Sequence, residues 1–159
     1  MANYLSEFQA QVERWPTPIE VAHAQGDVFV TLLQHEGYIE AKWAGHITAD
    51  DVITGAKVHL AILQLHPCSK LLNNKQDVTG DWSEANDWLQ FGWMPDAKAA
   101  GLSCVAHVYS GNMFSRLSAR DLMQRISSHI VMNNFNDFDT AKEWLIDCIL
   151  PHEAAAVSA

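Results

Sequence analysis

Positive charge is what this sequence has least of. Ten Lys and Arg stand against nineteen Asp and Glu in 159 residues, a formal net charge of −9 with a pI near 5.2. Such a surface excludes non-specific nucleic-acid binding, which needs a basic footprint, and electrostatic docking on anionic membranes. Long apolar runs are absent too, and none approaches the roughly 20 residues that span a bilayer. The opening, MANYLSEFQAQVERW, carries Glu7 and Glu13 and no apolar core of signal-peptide length, so no leader is expected. Cysteine is scarce: Cys68, Cys104 and Cys148 are odd in number and far apart, and read as reduced thiols of a cytoplasmic protein. G-x-S-x-G, G-x-x-x-x-G-K-[ST], C-x-x-C and H-E-x-x-H are all missing, which removes the usual nucleophile, phosphate-loop and zinc signatures.

What is present is one domain's worth of chain, 48% apolar, with six tryptophans to anchor a core. Leu5, Phe8, Val12 and Trp15 have helical spacing, and WPTP, 15–18, stops that helix. Residues 1–26 therefore form a helical extension and linker, 27–150 the domain, and 151–159 a flexible tail. The extension has three readings: a cover for the domain, a dimer contact, or a helix lying on lipid. Its shortage of Lys and Arg favours the first two.

Asp27–Gln34 and Tyr38–Gly45 read as strands joined by a tight turn at Glu36-Gly37. Thr48 caps a helix with the buried stripe Val52, Ala56, Leu60 and Leu63. A third strand is expected over SKLLNN, 69–74, a fourth over Leu102–Tyr109 and a fifth over HIVMNNF, 129–135. Helices are expected over Trp82–Ala100, over Ser118–Arg125 with Ser118 and Asp121 as a capping box, and after Asp137. The fold class is thus α/β: a single-layer, mixed but largely parallel five-stranded sheet with helices packed on it.

The stretch QDVTGDWSEANDW, 76–88, is the densest in chemistry. Asp81 and Glu84 have the D-x-x-E form of a helix start, and Trp82, Ala85, Leu89 and Trp93 fall on one helix face. Both carboxylates sit at a helix amino end, which favours the ionised form of each and disfavours an acid–base pair. Thr79 and Ser83 are candidate phosphoacceptors, but Asp77, Asp81, Glu84 and Asp87 would repel a phosphoryl group. In open α/β sheets ligands favour the carboxyl ends of strands. Asn74, Asp77, Thr79, Tyr109, Ser110 and Asn134 belong to that rim, with Trp88 beside it, and are the pocket candidates. Of eight histidines, His59 and His66 are seven apart on a helix, and Cys104 and His107 point to opposite faces of a strand, so neither pair suits a metal.

YIEAKWAGHITADDV, LLNNKQDVTGDWSEANDWLQFGWMPDAKAAGL, CVAHVYS and FNDFDTAKEWL resemble the SpoIIAA-like branch of the STAS superfamily of bacterial proteins. Trp43, the W-x-x-x-x-W-x-P-x-A pattern from Trp88 to Ala97, the AAGL that follows, and Ala141–Leu145 carry the resemblance, which spans about residues 28–147. It implies a compact mixed sheet, no catalysis and no cofactor. It also implies action through a protein partner or a homodimer, or through a small apolar, even lipid-like, ligand held between the sheet and the helix over 82–100. The family's phosphorylated D-S-S-G motif aligns with Asp77-Val78-Thr79-Gly80, where the first serine is missing. The expected role is a non-catalytic cytoplasmic regulatory or interaction module, with ligand binding as the alternative.

Overall fold

The computed structural model describes residues 5–148; the expected tail at 151–159 lies outside them. Six strands form one sheet in sequential order: β1 (Ile19–Ala22), β2 (Val28–His35), β3 (Tyr38–His46), β4 (Lys70–Thr79), β5 (Cys104–Val108) and β6 (Val131–Phe135). The first three are antiparallel neighbours, and β3 to β6 are parallel. The α/β class and the mixed sheet are as expected, but the strand count is six. The added strand, β1, lies in the stretch read as linker. Ile19 and Val21 pair with Leu32 and Val30 on the inward face of β2, yet the run is only four residues long and directly follows two prolines.

Helix α1 (Leu5–Glu13) packs against α2 (Ala49–Leu65), burying Val12, with Trp15 buried just beyond its end. Thr48 caps α2 as expected: its hydroxyl accepts from the Asp51 amide and the Asp51 carboxylate accepts in return from the Thr48 amide. Residues 83–99 form a composite helix, α3. It begins as a 3₁₀ turn at Ser83–Ala85, passes through Asn86–Trp88, runs as a π-helix at Leu89–Trp93, and ends as an α-helix at Met94–Ala99. Helix α4 (Met113–Ile126) and helix α5 (Phe138–Asp147, capped by Asp137) complete the chain.

Helices α2, α3 and α4 each connect successive parallel strands and share one core on one face, here the front, the arrangement that crossovers of a single hand produce. The main core fills that side. Among the described elements, helix α5 covers part of the rear face, where Ala141 and Leu145 meet Tyr38, Leu72, Ala106 and Val108.

Three local expectations are corrected. Helix α4 begins at Met113 with Asn112 as its cap, since the Asn112 side chain accepts from the Ser115 amide at 3.1 Å; Ser118 and Asp121 are interior and turn towards α3. Glu84 closes no capping box. Asp81 instead accepts from the Ser83 amide and hydroxyl and from the Ser118 hydroxyl. Cys104 and Cys148 form a disulfide between β5 and the end of α5, leaving Cys68 free, because α5 doubles back over the strand that starts at Cys104.

Candidate functional site

The front face of β4 bears polar residues where a core-facing strand would ordinarily be apolar. Leu71, Asn73 and Lys75 alternate onto it, and Lys75 is 1% exposed. Regular alternation carries Lys75 there, and a bulge follows it. From Asn74 to Asp77 the strand advances three residues while its partner β3 advances two, from Lys42 to Ala44. The extra residue reverses the alternation, so Val78 also faces inward. Bulges of this kind re-aim side chains and recur beside functional sites. Asn74 supports the bulge from the rear: its carbonyl accepts from the Gln76 amide at 3.2 Å and its amide donates to Glu40 at 3.1 Å.

The Lys75 ammonium lies between two indoles, 3.7 Å from the Trp82 ring centre and 4.7 Å from that of Trp43. Aromatic faces attract a cation but return none of the hydrogen bonds lost from water. Among the described residues no carboxylate forms an ion pair with Lys75. Burial therefore lowers its pKa to about 7.

Beside it runs a chain of oriented groups. The Trp43 indole donates to the Asn73 carbonyl at 2.6 Å. An indole N–H can only donate, which fixes the amide and makes its nitrogen the donor to His107 Nδ1, 3.2 Å away. His107 thus accepts at Nδ1 and carries its proton on Nε2. By the same reasoning Trp93 donates to His59 Nδ1 at 3.4 Å, and His59 is protonated on Nε2. Both Nε2 atoms are buried without a hydrogen-bond partner among the described residues. Burial lowers the His59 pKa to about 4; burial first, and then the charge of Lys75, holds His107 well below the usual range.

A cavity of about 50 Å³ lies between these groups and the helices. The sheet contributes Trp43, Asn73 and Lys75, α2 contributes Ala56 and His59, α3 contributes Leu89 and Trp93, and α4 contributes Leu122 and Ile126. A water needs about 10–15 Å³ on this measure, so the space suits a few waters or a ligand of a few heavy atoms. Gly55 permits the arrangement, because a side chain there would collide with the Trp43 indole. The π-helix of α3 supplies Leu89 and Trp93; such single-turn interruptions are common at functional sites.

The sequence candidates fall elsewhere. Asn74 is buried on the rear face, bound to Glu40. Asp77 is exposed on β4, and exposed Thr79 shares a hydrogen bond with His46 Nδ1 at 3.1 Å. Ser83 is held by Asp81, and half-buried Trp88 stands against Gly92. Tyr109 accepts from Asn134 and lies under the Arg116 guanidinium, while buried Ser110 shapes the turn before α4. None of them lines the cavity, although the cavity does lie between the sheet and 82–100. The sequence does not single out Asn73 and Lys75, because N-N-K-Q-D reads as the end of a strand, and His59 shows there only as half of an unsuitable metal pair. A Lys directly after Leu71-Leu72 and the polar pair Asn73 and Asn74 was the available signal. His107 does face away from Cys104, as expected. Among the described residues no group of three or more His, Cys, Asp or Glu could hold a metal, and no helix is long and apolar enough to cross a membrane. Compared with known proteins, the chain matches no family model and no curated protein.

Proposed function

We propose that this protein is a non-catalytic binder of a small, largely apolar ligand held between the front of the sheet and α3. The observation that carries the reading is the cavity itself: apolar side chains and two indoles surround the Lys75 ammonium, which has no ion pair among the described residues, and His59, whose Nε2 has no hydrogen-bond partner there. Ligand sites have this composition, a mostly apolar lining with few, fixed polar groups. The resemblance to SpoIIAA-like domains agrees with binding rather than catalysis. The volume favours a compact molecule; a lipid chain would require α3 to move. Native mass spectrometry of freshly purified protein tests the reading, together with thermal shift against a panel of compounds of a few heavy atoms. Binding that Ala56→Leu abolishes by filling the cavity, with circular dichroism unchanged, supports it. No co-purifying mass and no shift with any compound would remove it.

A second reading is a regulatory interaction module of the SpoIIAA-like type, acting through a second copy of the chain. Met113, Phe114 and Leu117 favour it, since they stand exposed on the first turns of α4. A dimer mass in scattering that Phe114→Ser with Leu117→Ser returns to monomer would support it; a monomer throughout would count against it. Placement in the cytoplasm belongs to these proposals, and there the Cys104–Cys148 bond would face reducing conditions.

A further inference from the structure

The groups around the cavity share one chemical bias: they donate. Lys75 brings an ammonium, and His59 brings an N–H on Nε2, both at the cavity lining. His107, the titratable group beside Lys75, carries a second orphaned N–H on Nε2. Asn86 Oδ1 and Asn134 Oδ1 are also buried without a partner, but neither residue lines the cavity, and two acceptors close to Lys75 and its indoles are already used. The Asn73 carbonyl takes the Trp43 indole, and the Ser115 hydroxyl takes the Trp82 indole at 3.0 Å. Buried polar groups in native structures are almost always paired, and a buried cation without a counter-charge is costlier than a neutral donor.

Among the described residues, donors at the cavity lining without acceptors and a cation without an anion describe a site that lacks one component. We propose that the ligand's polar end is a carboxylate seated against the Lys75 ammonium, and that the ligand is a small organic monocarboxylate. The proposal rests on the ligand-binding reading above and names the class of ligand. One negative charge matches Lys75, the one Lys or Arg that is buried among the described residues. A phosphate monoester would bring an excess of charge into an apolar space with only Lys75 to meet it. Trp43 and Trp82 confine the ammonium from two sides, so the carboxylate meets it from the cavity, where Leu89, Leu122 and Ile126 receive the apolar part.

The experiment compares acids with their uncharged isosteres. Propionate and butyrate are titrated beside propionamide and butyramide, at fixed pH and ionic strength, with tryptophan emission and thermal shift as readouts. The expected result is roughly tenfold or greater preference for each acid over its amide, abolished in Lys75→Met and retained in part in Lys75→Arg. Circular dichroism and the melting transition of each variant confirm that it is folded. Equal affinity for acid and amide, or an acid preference that survives in Lys75→Met, overturns the proposal while leaving ligand binding intact. Binding of neither acid nor amide overturns it as well, and a further null result across the wider compound panel removes the ligand-binding reading too. The amine has one rival use: butyraldehyde would condense with it, losing water to form an imine. A mass increase fixed by borohydride only when Lys75 is present, without acid preference, would replace the carboxylate assignment.

Discussion

At the scale of single residues, Lys75 is a buried ammonium with no ion pair among the described residues. Its folded pKa is about 7, against 10.5 for an ordinary lysine. Between those values the unfolded chain holds a proton that the folded chain has released, so stability rises with pH across that window. Below pH 7 both states are protonated and the full penalty of burying the ammonium remains. Lys75→Met should therefore be more stable than the parent at pH 6–7, by about 1–4 kcal/mol, with the gap closing as pH climbs towards 10. Urea midpoints of the two proteins at several pH values measure this, and a gap independent of pH would refute it. The buried histidines act in the acidic range. His59, with its pKa lowered to about 4, stays neutral in the folded state while the unfolded chain gains its proton near pH 6.5. The stability this provides is complete above 6.5 and lost as pH falls towards 4, at up to about 1.4 kcal/mol per pH unit. His107 adds a loss of the same sign. Two imidazole resonances that do not titrate between pH 5 and 8 are the expected NMR signature.

At the scale of elements, legibility followed the regularity of side-chain alternation. Helix α2 declared itself through Thr48, Asp51 and an apolar stripe, and the hairpin through Gly37, which sits at a φ of +88° that suits glycine. The sequence pattern ends β4 at Asn74, because parity shifts between Lys75 and Val78 and no single period describes the whole strand. Helix α4 was misjudged for a related reason. Ser118 and Asp121 have capping spacing, but tertiary partners use them: the Trp82 amide donates to Ser118, and Asn86 to Asp121. The true cap, Asn112, also accepts from the Gly80 amide at 3.4 Å, so it joins the start of α4 to the end of β4. Asn112→Ala should cost about 1 kcal/mol, read from the urea midpoint; Asn112→Asp should recover most of it, because the carboxylate keeps the acceptor. The cavity was legible only as a location beside 82–100, since the residues that define it depend on β4 continuing past Asn74 and on a π-turn.

At the scale of the whole molecule, the α/β class followed from strands alternating with helices, while the sixth strand and the disulfide did not. The Cys104–Cys148 bond ties the end of α5 to β5 across 44 residues. Closing such a loop constrains the unfolded chain by on the order of 4 kcal/mol. Reduction, or Cys148→Ser, should lower the urea midpoint accordingly, and an unchanged midpoint would show that the bond adds nothing to stability. The strand order has a separate consequence. Because β1 to β6 lie side by side in the order of synthesis, the polypeptide never needs to insert a late segment between two earlier ones. Each piece leaving the ribosome can dock on a finished border, so nascent fragments lengthen one platform stepwise, and a stalled chain ending after β4 should already protect its first hairpin from protease.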